Sequence, residues 1–480
     1  MESSFDAFLK AILSDVIRLA PEAYAVGGAV RDHLLGQAAG KDLDLAVQGD
    51  GFVIAEKLAD IHAVTFVPLD DSHGSGRIVL KAREPITVDI ASFRGADIMT
   101  DLKMRDFTIN ALGVSLKDYM SGRFDQILDP TGGISDIRSK TIRVCSDCSF
   151  HDDPLRILRT FRFMAGLGFR VEAHTLNGIA TELPGLSSAA PERIRDEFLA
   201  TLAAASSFQA LKAMDATGVL DHLFPELGSM RGCGQNEFHH LDVWKHSLEA
   251  VSQLESLIAG RTLYFGDSSH LVENYLLEEP VKGRPRAALL KLAALFHDSG
   301  KPRSRFVEPG GRVRFFGHET ISRKIFEEAG ERIKLANREI SFIGDLVEGH
   351  MRPMIFTGQP VSQRAILRMR RRFHKDVVGL FLLFLADLAA TRGLARTPES
   401  EQTARTQVLR ALEICFEAAK KKEEPFLNGR DLMELFGMEP GPRMGSILKQ
   451  LRELQELGDI TSKAQAIEVT NEMLQAGEPS

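Results

Sequence analysis

Cysteine is scarce in this chain, with four residues in 480 and no spacing that suggests a disulfide framework. That excludes a small disulfide-stapled secreted fold and matches usage in a reducing compartment, so the expected location is cytoplasmic. The one close pair, Cys145 and Cys148, lacks a second C-x-x-C and reads as two ordinary thiols. Positive charge is also short: Lys and Arg number 59 against 66 Asp and Glu, a net charge of −7. No global basic field exists, so any contact with nucleic acid must come from local basic patches. Long apolar runs are missing too. The longest, Val377 to Leu385, is too short to span a bilayer and soon meets Asp387, so it reads as a buried helix and no membrane partner is expected. The first residues are acidic and lack a basic stretch before an apolar core, so no signal peptide is expected. No internal repeat is evident.

What is present begins at Gly27-Gly28-Ala29-Val30-Arg31-Asp32. The apolar run Ala23 to Val26 predicts a strand. Two glycines then let the backbone turn sharply and approach an anion closely. The following helix, Ala29 to Leu35, directs its free N–H groups and positive dipole end at that turn. Arg31, in its first turn, can fork two phosphate oxygens. A second strand, Asp42 to Val47, puts Asp42 and Asp44 on one face and Leu43 and Leu45 on the other. Two carboxylates beside a phosphate cradle suit a two-metal nucleotidyl transfer. Asp89, in Thr87-Val88-Asp89-Ile90-Ala91, would complete the metal set from a neighbouring strand.

The organisation changes along the chain. Residues 1–140 alternate strands and helices, with strands predicted at Ile61–Leu69, Arg77–Lys81 and Ile86–Phe93 and a flexible turn over 70–76. From about 150 the pattern is helical almost throughout. Tracts 259–285 and 391–404 lack apolar periodicity and read as linkers or loops.

Arg105-Asp106-Phe107-Thr108-Ile109-Asn110 predicts a helix start or tight turn, with Asp106 either capping it or lining a nucleotide pocket with Arg105 and Asn110. In His151-Asp152-Asp153-Pro154-Leu155-Arg156, Asp152 or Asp153 is the expected N-cap and Pro154 the first helical residue. Arg156, Arg159 and Arg162 recur every three residues on one side, with Leu155, Leu158 and Phe161 toward the core. Asp153 and Arg156 place an acceptor beside a bidentate donor, a pair able to address the Watson–Crick edge of a base. Arg193 and Arg195 add a second basic helix start.

Together these segments resemble the class II tRNA nucleotidyltransferase and bacterial poly(A) polymerase family, most densely from 24 to 200. The resemblance implies that Gly27, Gly28 and Arg31 hold a triphosphate and that Asp42 and Asp44 bind magnesium. It further implies that Arg105 and Asp106 select the ribose and that Asp153 and Arg156 template the base. Met104 stands where the family has the first arginine of Arg-Arg-Asp, and Asp152 where it has glutamate before the template aspartate.

Downstream, His246, His297-Asp298, His318, His350 and Asp387 follow in helical contexts, an order that resembles the HD phosphohydrolase superfamily in its two-metal form. Imidazole and carboxylate on adjacent helices suit nickel, manganese, zinc or iron, and a metal-bound hydroxide would attack a phosphoester. Near the C-terminus, Leu427-Asn428-Gly429-Arg430-Asp431 and Pro440-Gly441-Pro442-Arg443 mark helix starts, the second able to seat an RNA phosphate. The basic run Arg368 to Lys375 is either a phosphate-tracking surface or a solvated helix face.

The expected architecture is α+β: a mixed-sheet nucleotidyltransferase palm over 1–140, an all-α neck over 141–205, an HD domain over 206–395 and a helical tail over 396–480. The expected reaction transfers CMP or AMP from CTP or ATP to the tRNA 3′ end. Poly(A) addition, and an HD phosphohydrolase with an RNA-binding head, are the alternatives.

Overall fold

The structure is a computed structural model that describes residues 4–38, 40, 42–70, 74–81, 85–236, 239–391, 398–420, 424–457 and 459–475. The chain divides into two units, Met1–Leu223 and Phe224–Ser480.

The first unit is built on a mixed sheet. Its strands are β1 (Ala23–Val26), β2 (Asp42–Val47), β3 (Thr65–Asp70), β4 (Ser75–Leu80), β5 (Ile86–Ser92) and β6 (Gly113–Ser115), in the order β3-β4-β5-β2-β1-β6. β2 and β5 run parallel, and the other neighbours are antiparallel. A parallel pair needs a crossover. Here it contains a helix, Gly51–His62, whose N-cap Asp50 accepts the Val53 N–H at 3.2 Å. Ile54, Ala55, Leu58 and Ala59 of this helix are buried with Ile12, Leu13 and Val16 of the helix Ser4–Leu19. The sheet meets them with Leu43, Leu45, Ile78, Leu80, Val88 and Ile90. Strict alternation turns the intervening Asp42, Asp44, Arg77 and Asp89 away from that core.

Two local expectations need correction. Ile61 and His62 end the crossover helix rather than opening a strand, because Ala63 reverses the chain in the left-handed region (φ 51°) and β3 starts only at Thr65. In the expected turn 70–76, Asp70, Ser75 and Gly76 pair as strand residues, and 71–73 lie outside the described residues.

Beyond the sheet the first unit is helical apart from a short parallel pair, Thr141–Ile142 with Arg170–Val171. The segment after Arg105 forms a single 3₁₀ turn, Thr108–Asn110, capped by Phe107 rather than Asp106. Ser149–Asp152 and Arg156–Leu167 are separate helices. Asp153 between them is extended (φ −146°), as a residue before proline prefers. The longer helix therefore starts at Arg156 with Leu155 as N-cap, two residues later than expected, while the Asp153 carboxylate still accepts the Leu155 N–H at 3.1 Å. Leu155, Leu158 and Phe161 are buried, as the spacing predicts.

The second unit is all helix apart from the hairpin Arg305–Val307/Val313–Phe315. Its central helix, Val377–Ala390, is buried on every side, packed among Val243–Ala259, Arg286–Phe296 and Asn337–Gly349. Among the described residues no helix is long and apolar enough to cross a membrane. The tract 259–285 is not a loop. It holds the helices Arg261–Phe265 and Ser269–Leu277, whose Phe265, Val272, Tyr275 and Leu276 are buried. Of the tract 391–404, residues 392–397 lie outside the described residues, and a helix, Pro398–Lys420, begins at Pro398. Both helical tracts are too polar for periodicity to reveal; tertiary burial of a few side chains decides them. Near the C-terminus Asn428 and Asp431 form a capping box on Gly429–Phe436, and Pro442–Leu457 follows. Their apolar faces share a small core of Leu427, Leu432, Met444, Ile447 and Leu451.

Candidate active site

In the first unit the ends of β1 and β2 frame a cavity of about 730 Å³. Gly27, Gly28, Arg31, Asp42, Asp44, Asp89, Arg105, Asp106, Asn110, Asp153, Arg156, Arg159 and Arg162 all line it. The helix after the glycine turn, Gly28–Leu34, is short because Leu35 and Gly36 close it. Gly27 has φ 68° and ψ −126°, a backbone that L side chains rarely adopt. A Cβ there would stand 3.5 Å from both Asp44 Oδ2 and Arg105 Nη1, so glycine keeps the turn open toward the carboxylates.

Strand register gathers the acids. Asp44 pairs across the sheet with Asp89, and Asp42 with Thr87, whose hydroxyl donates to the Asp42 carboxylate. Burial raises the pKa of Asp44 from its ordinary value, and the charges of Asp89 and Asp42 raise it further against the opposing charge of Arg105. Three carboxylates that repel one another in one pocket are a donor set that fits a divalent cation with oxygen ligands.

Several cations around them are held by other acids. Arg31 donates to Asn110 Oδ1 at 2.7 Å and to Asp32 at 2.9 Å. Asn110 donates to Asp106 Oδ1 at 3.2 Å, and Arg159 donates twice to Asp106 Oδ2, at 3.0 and 2.6 Å. Arg162 donates to Glu197 at 2.6 Å. Burial works against the Asp106 charge, but Arg159, Asn110 and the Phe107 N–H outweigh it and hold the carboxyl below its ordinary range. Arg156 is buried and donates to Ser149 and to the Met104 carbonyl, so its guanidinium is fixed in one orientation. Phe163 lies beneath the guanidinium groups of Arg31, Arg159 and Arg162, at 5.4, 5.6 and 4.6 Å.

Several residues of this site escaped sequence reasoning. Arg77 forks both oxygens of Asp89 at 2.6 and 2.7 Å, and Arg94 reaches the Met104 carbonyl at 3.3 Å. Asp101, fully buried, accepts from Arg94 N–H and from Arg105. Glu197 follows the basic helix start at Arg193 and Arg195 by only a few positions, a signal that was available; Arg77, Arg94 and Asp101 carry none. Cys145 and Cys148 are free thiols, and burial pushes the Cys145 pKa up to about 12.

In the second unit all six expected ligands converge. His246 Nε2 lies 2.9 Å from Asp387 Oδ1 and 3.6 Å from Asp298 Oδ2. His297 Nε2 stands 3.2 Å from Asp298 Oδ2, and His318 Nε2 and His350 Nε2 stand 3.3 and 3.6 Å from Asp298 Oδ1. His297, His318 and His350 each present Nδ1 to the carbonyl three residues back, at 2.8, 2.8 and 2.6 Å. A carbonyl only accepts, so Nδ1 carries the proton and Nε2 faces inward as a ligand atom. His297 Nε2 and His246 Nδ1 are buried without a hydrogen bond. His246, His297 and Asp387, and likewise His297, Asp298 and His350, fall within the reach of one ion. Lys301, which also binds Gln235, forms an ion pair with Asp298 at 2.6 Å, a contact that sequence reasoning missed. The basic run Arg368–Lys375 is partly spent on ion pairs of Arg371 with Glu453 and Lys375 with Glu278, which favours the solvated-face reading.

Comparison with known proteins agrees with this layout. Residues 23–143 match the model described as Poly A polymerase head domain, 168–230 the probable RNA and SrmB-binding site of polymerase A, and 243–408 the HD domain. The chain is 31% identical over 456 residues to an A-adding tRNA nucleotidyltransferase of Deinococcus radiodurans, covering 93% of this chain and 94% of that one. It is 29% identical over 451 residues to a CC-adding tRNA nucleotidyltransferase of Thermus thermophilus, covering 93% and 92%. Among solved structures, a Thermotoga maritima CCA-adding enzyme complexed with tRNA shares the fold at a TM-score of 0.62 and 22% identity, covering 98% of this chain and 95% of that one.

Proposed function

This chain belongs to the tRNA nucleotidyltransferase and poly(A) polymerase family, and from that premise we propose that it transfers CMP or AMP from CTP or ATP to the 3′ end of tRNA. The observation that carries the proposal is the meeting of Asp42, Asp44 and Asp89 with the Gly27-Gly28 turn in one cavity. Both the head and the HD domain imply divalent-metal dependence. In the head we assign magnesium, held by Asp42, Asp44 and Asp89, because an all-oxygen site suits it. Bound magnesium would neutralise the triphosphate and ease deprotonation of the primer hydroxyl.

The remaining work falls to the chain itself. With the Gly27 N–H given to the Leu112 carbonyl, Gly28 and the first turn of the helix it opens offer N–H groups to the phosphates, and Arg31, braced by Asp32 and Asn110, adds a fixed guanidinium. Arg105 and Asp106 border the ribose. Asp153 and Arg156 face the base, and the hydrogen bonds from Arg156 to Ser149 and Met104 preset the orientation that discrimination requires. Holding both reactants in place turns the displacement of pyrophosphate into an effectively intramolecular step.

Four relatives matched over nine-tenths of both chains are named for partial addition, which supports addition of either the two cytidines or the terminal adenosine alone. The test supplies tRNA lacking the whole CCA end, or only its adenosine, with each NTP singly and in combination. Growth limited to C-C or to A is expected. A long A tail would instead make the protein a poly(A) polymerase, and no incorporation on any tRNA would overturn the proposal. A second reading, phosphoester hydrolysis by the HD domain with nickel, manganese, zinc or iron, is favoured by the inward Nε2 atoms of His297, His318 and His350 around Asp298.

A further inference from the structure

Arg77, Asp89 and Asp44 form one row across the sheet. Arg77 on β4 pairs with Asp89 on β5, and Asp89 pairs with Asp44 on β2. Arg77 Nε and Nη2 reach Asp89 Oδ1 and Oδ2 at 2.6 and 2.7 Å, so one planar fork covers both carboxylate oxygens. Other arginines of the cavity wall have different anchors: Arg31 has Asp32, Arg105 has Asp101, Arg159 has Asp106 and Arg162 has Glu197. None of those acids belongs to the trio Asp42, Asp44 and Asp89. Arg77 therefore binds the oxygens that a divalent cation needs.

We propose that Arg77 exchanges partners during the reaction, holding Asp89 before the metal arrives and the phosphates of the incoming nucleotide afterwards. The inference rests on the proposed nucleotidyl transfer. With Asp89 holding a divalent cation, at least one of its oxygens would leave the Arg77 fork and the guanidinium would face a like charge. The side chain is 37% exposed even while it holds Asp89, and it lines the same cavity as Gly27, Gly28 and Arg31. A guanidinium fork fits phosphate as well as it fits carboxylate. Asp42 and Asp44, the other acids facing Arg77, are then neutralised by the same cation, which leaves the triphosphate as its anionic partner. The device keeps the acid trio from standing uncompensated and lends its counter-charge to the substrate when the metal replaces it.

The exchange makes a two-sided prediction. Titration calorimetry of the full chain with magnesium alone should show Arg77→Ala binding about tenfold tighter than wild type, a difference of about 1.4 kcal/mol. The same variant should bind a non-hydrolysable CTP or ATP analogue with magnesium about tenfold more weakly, with a matching rise in KM. Arg77→Lys should restore part of the nucleotide affinity. In Asp89→Asn the further change Arg77→Ala should no longer tighten magnesium binding, which ties the effect to that carboxylate. Unchanged or weaker magnesium binding by Arg77→Ala would make the pair a static brace and overturn the proposal; so would tighter magnesium binding with unchanged analogue affinity. Both readouts are free of turnover, so a protein that incorporates no nucleotide would sink the proposed function while the exchange is still judged by its own titrations.

Discussion

Two aspartates of the head have pKa values shifted in opposite directions, and each predicts its own pH behaviour. Burial, then Asp89 and Asp42, raises the Asp44 pKa. A carboxyl whose folded pKa is raised burdens the folded state as pH rises through that value, and the burden is absent below the unfolded pKa. Asp44→Asn should therefore raise Tm at neutral pH in EDTA, and its gain should vanish in acid below the usual carboxylate range. The same change should cost nucleotide addition at least ~100-fold, since charge stabilisation is usually the largest catalytic contribution. A destabilised but active Asp44→Asn would refute both halves. Asp106 is the reverse case: its pKa is depressed, because Arg159 and its hydrogen bonds outweigh burial. Its stabilisation is present above the unfolded pKa and lost as pH falls through the folded one. Asp106→Asn should cost about 3 kcal/mol at neutral pH, the scale for breaking a buried pair, and much less in strong acid. Urea melts at the two pH values check this. Equal losses at both would mean that packing, not charge, sets the effect.

At the scale of elements, the break between Ser149–Asp152 and Arg156–Leu167 matters most. Pro154 forces Asp153 out of helical geometry, which turns its carboxylate toward the Leu155 N–H and brings Arg156 back to Ser149. Asp153→Ala or Arg156→Ala should change the ratios of CTP, ATP, UTP and GTP incorporation more than tRNA affinity, by about 1–3 kcal/mol of discrimination for each side chain removed. Weakened tRNA binding at unchanged ratios would make this helix a phosphate grip instead. The spacing of Arg156, Arg159 and Arg162 correctly predicts a common face. That face, however, is not free: Asp106 and Glu197 hold two of the three guanidinium groups.

For the whole molecule, an acid-lined cavity in the first unit and a cluster of histidines and aspartates within reach of one ion in the second differ in donor chemistry. The oxygen set of the head favours magnesium, and the imidazole-rich set a transition ion. Replacing His297 and Asp298 together by Ala should remove metal binding and any cleavage of a cyclic phosphodiester by the second unit, while nucleotide addition stays within about twofold of wild type. Metal content after loading with nickel, manganese or zinc checks the first part. No bound metal in the wild type would mean that the buried histidines are core residues and the HD domain is a scaffold.

Period-two alternation and the glycine turn, by themselves, determined the β1–turn–helix–β2 start of the head and the shared face of Asp42 and Asp44. These are local properties, set by backbone geometry within a few residues. The ordered histidines and aspartates of the second unit were legible for a different reason: their order resembles that of the HD phosphohydrolase superfamily. Only tertiary structure decided which charges meet. Arg77 reaches Asp89 through strand register, and Arg159 reaches Asp106 from a helix 53 residues away. Asp101 and Arg105, and Asp298 and Lys301, are neighbours four and three residues apart in sequence, but the burial of each aspartate is set by tertiary packing. The helices within 259–285 likewise exist only because a few apolar side chains find a buried place. Pairing energies of this kind depend on distance and burial, and neither is written in the order of residues along the chain.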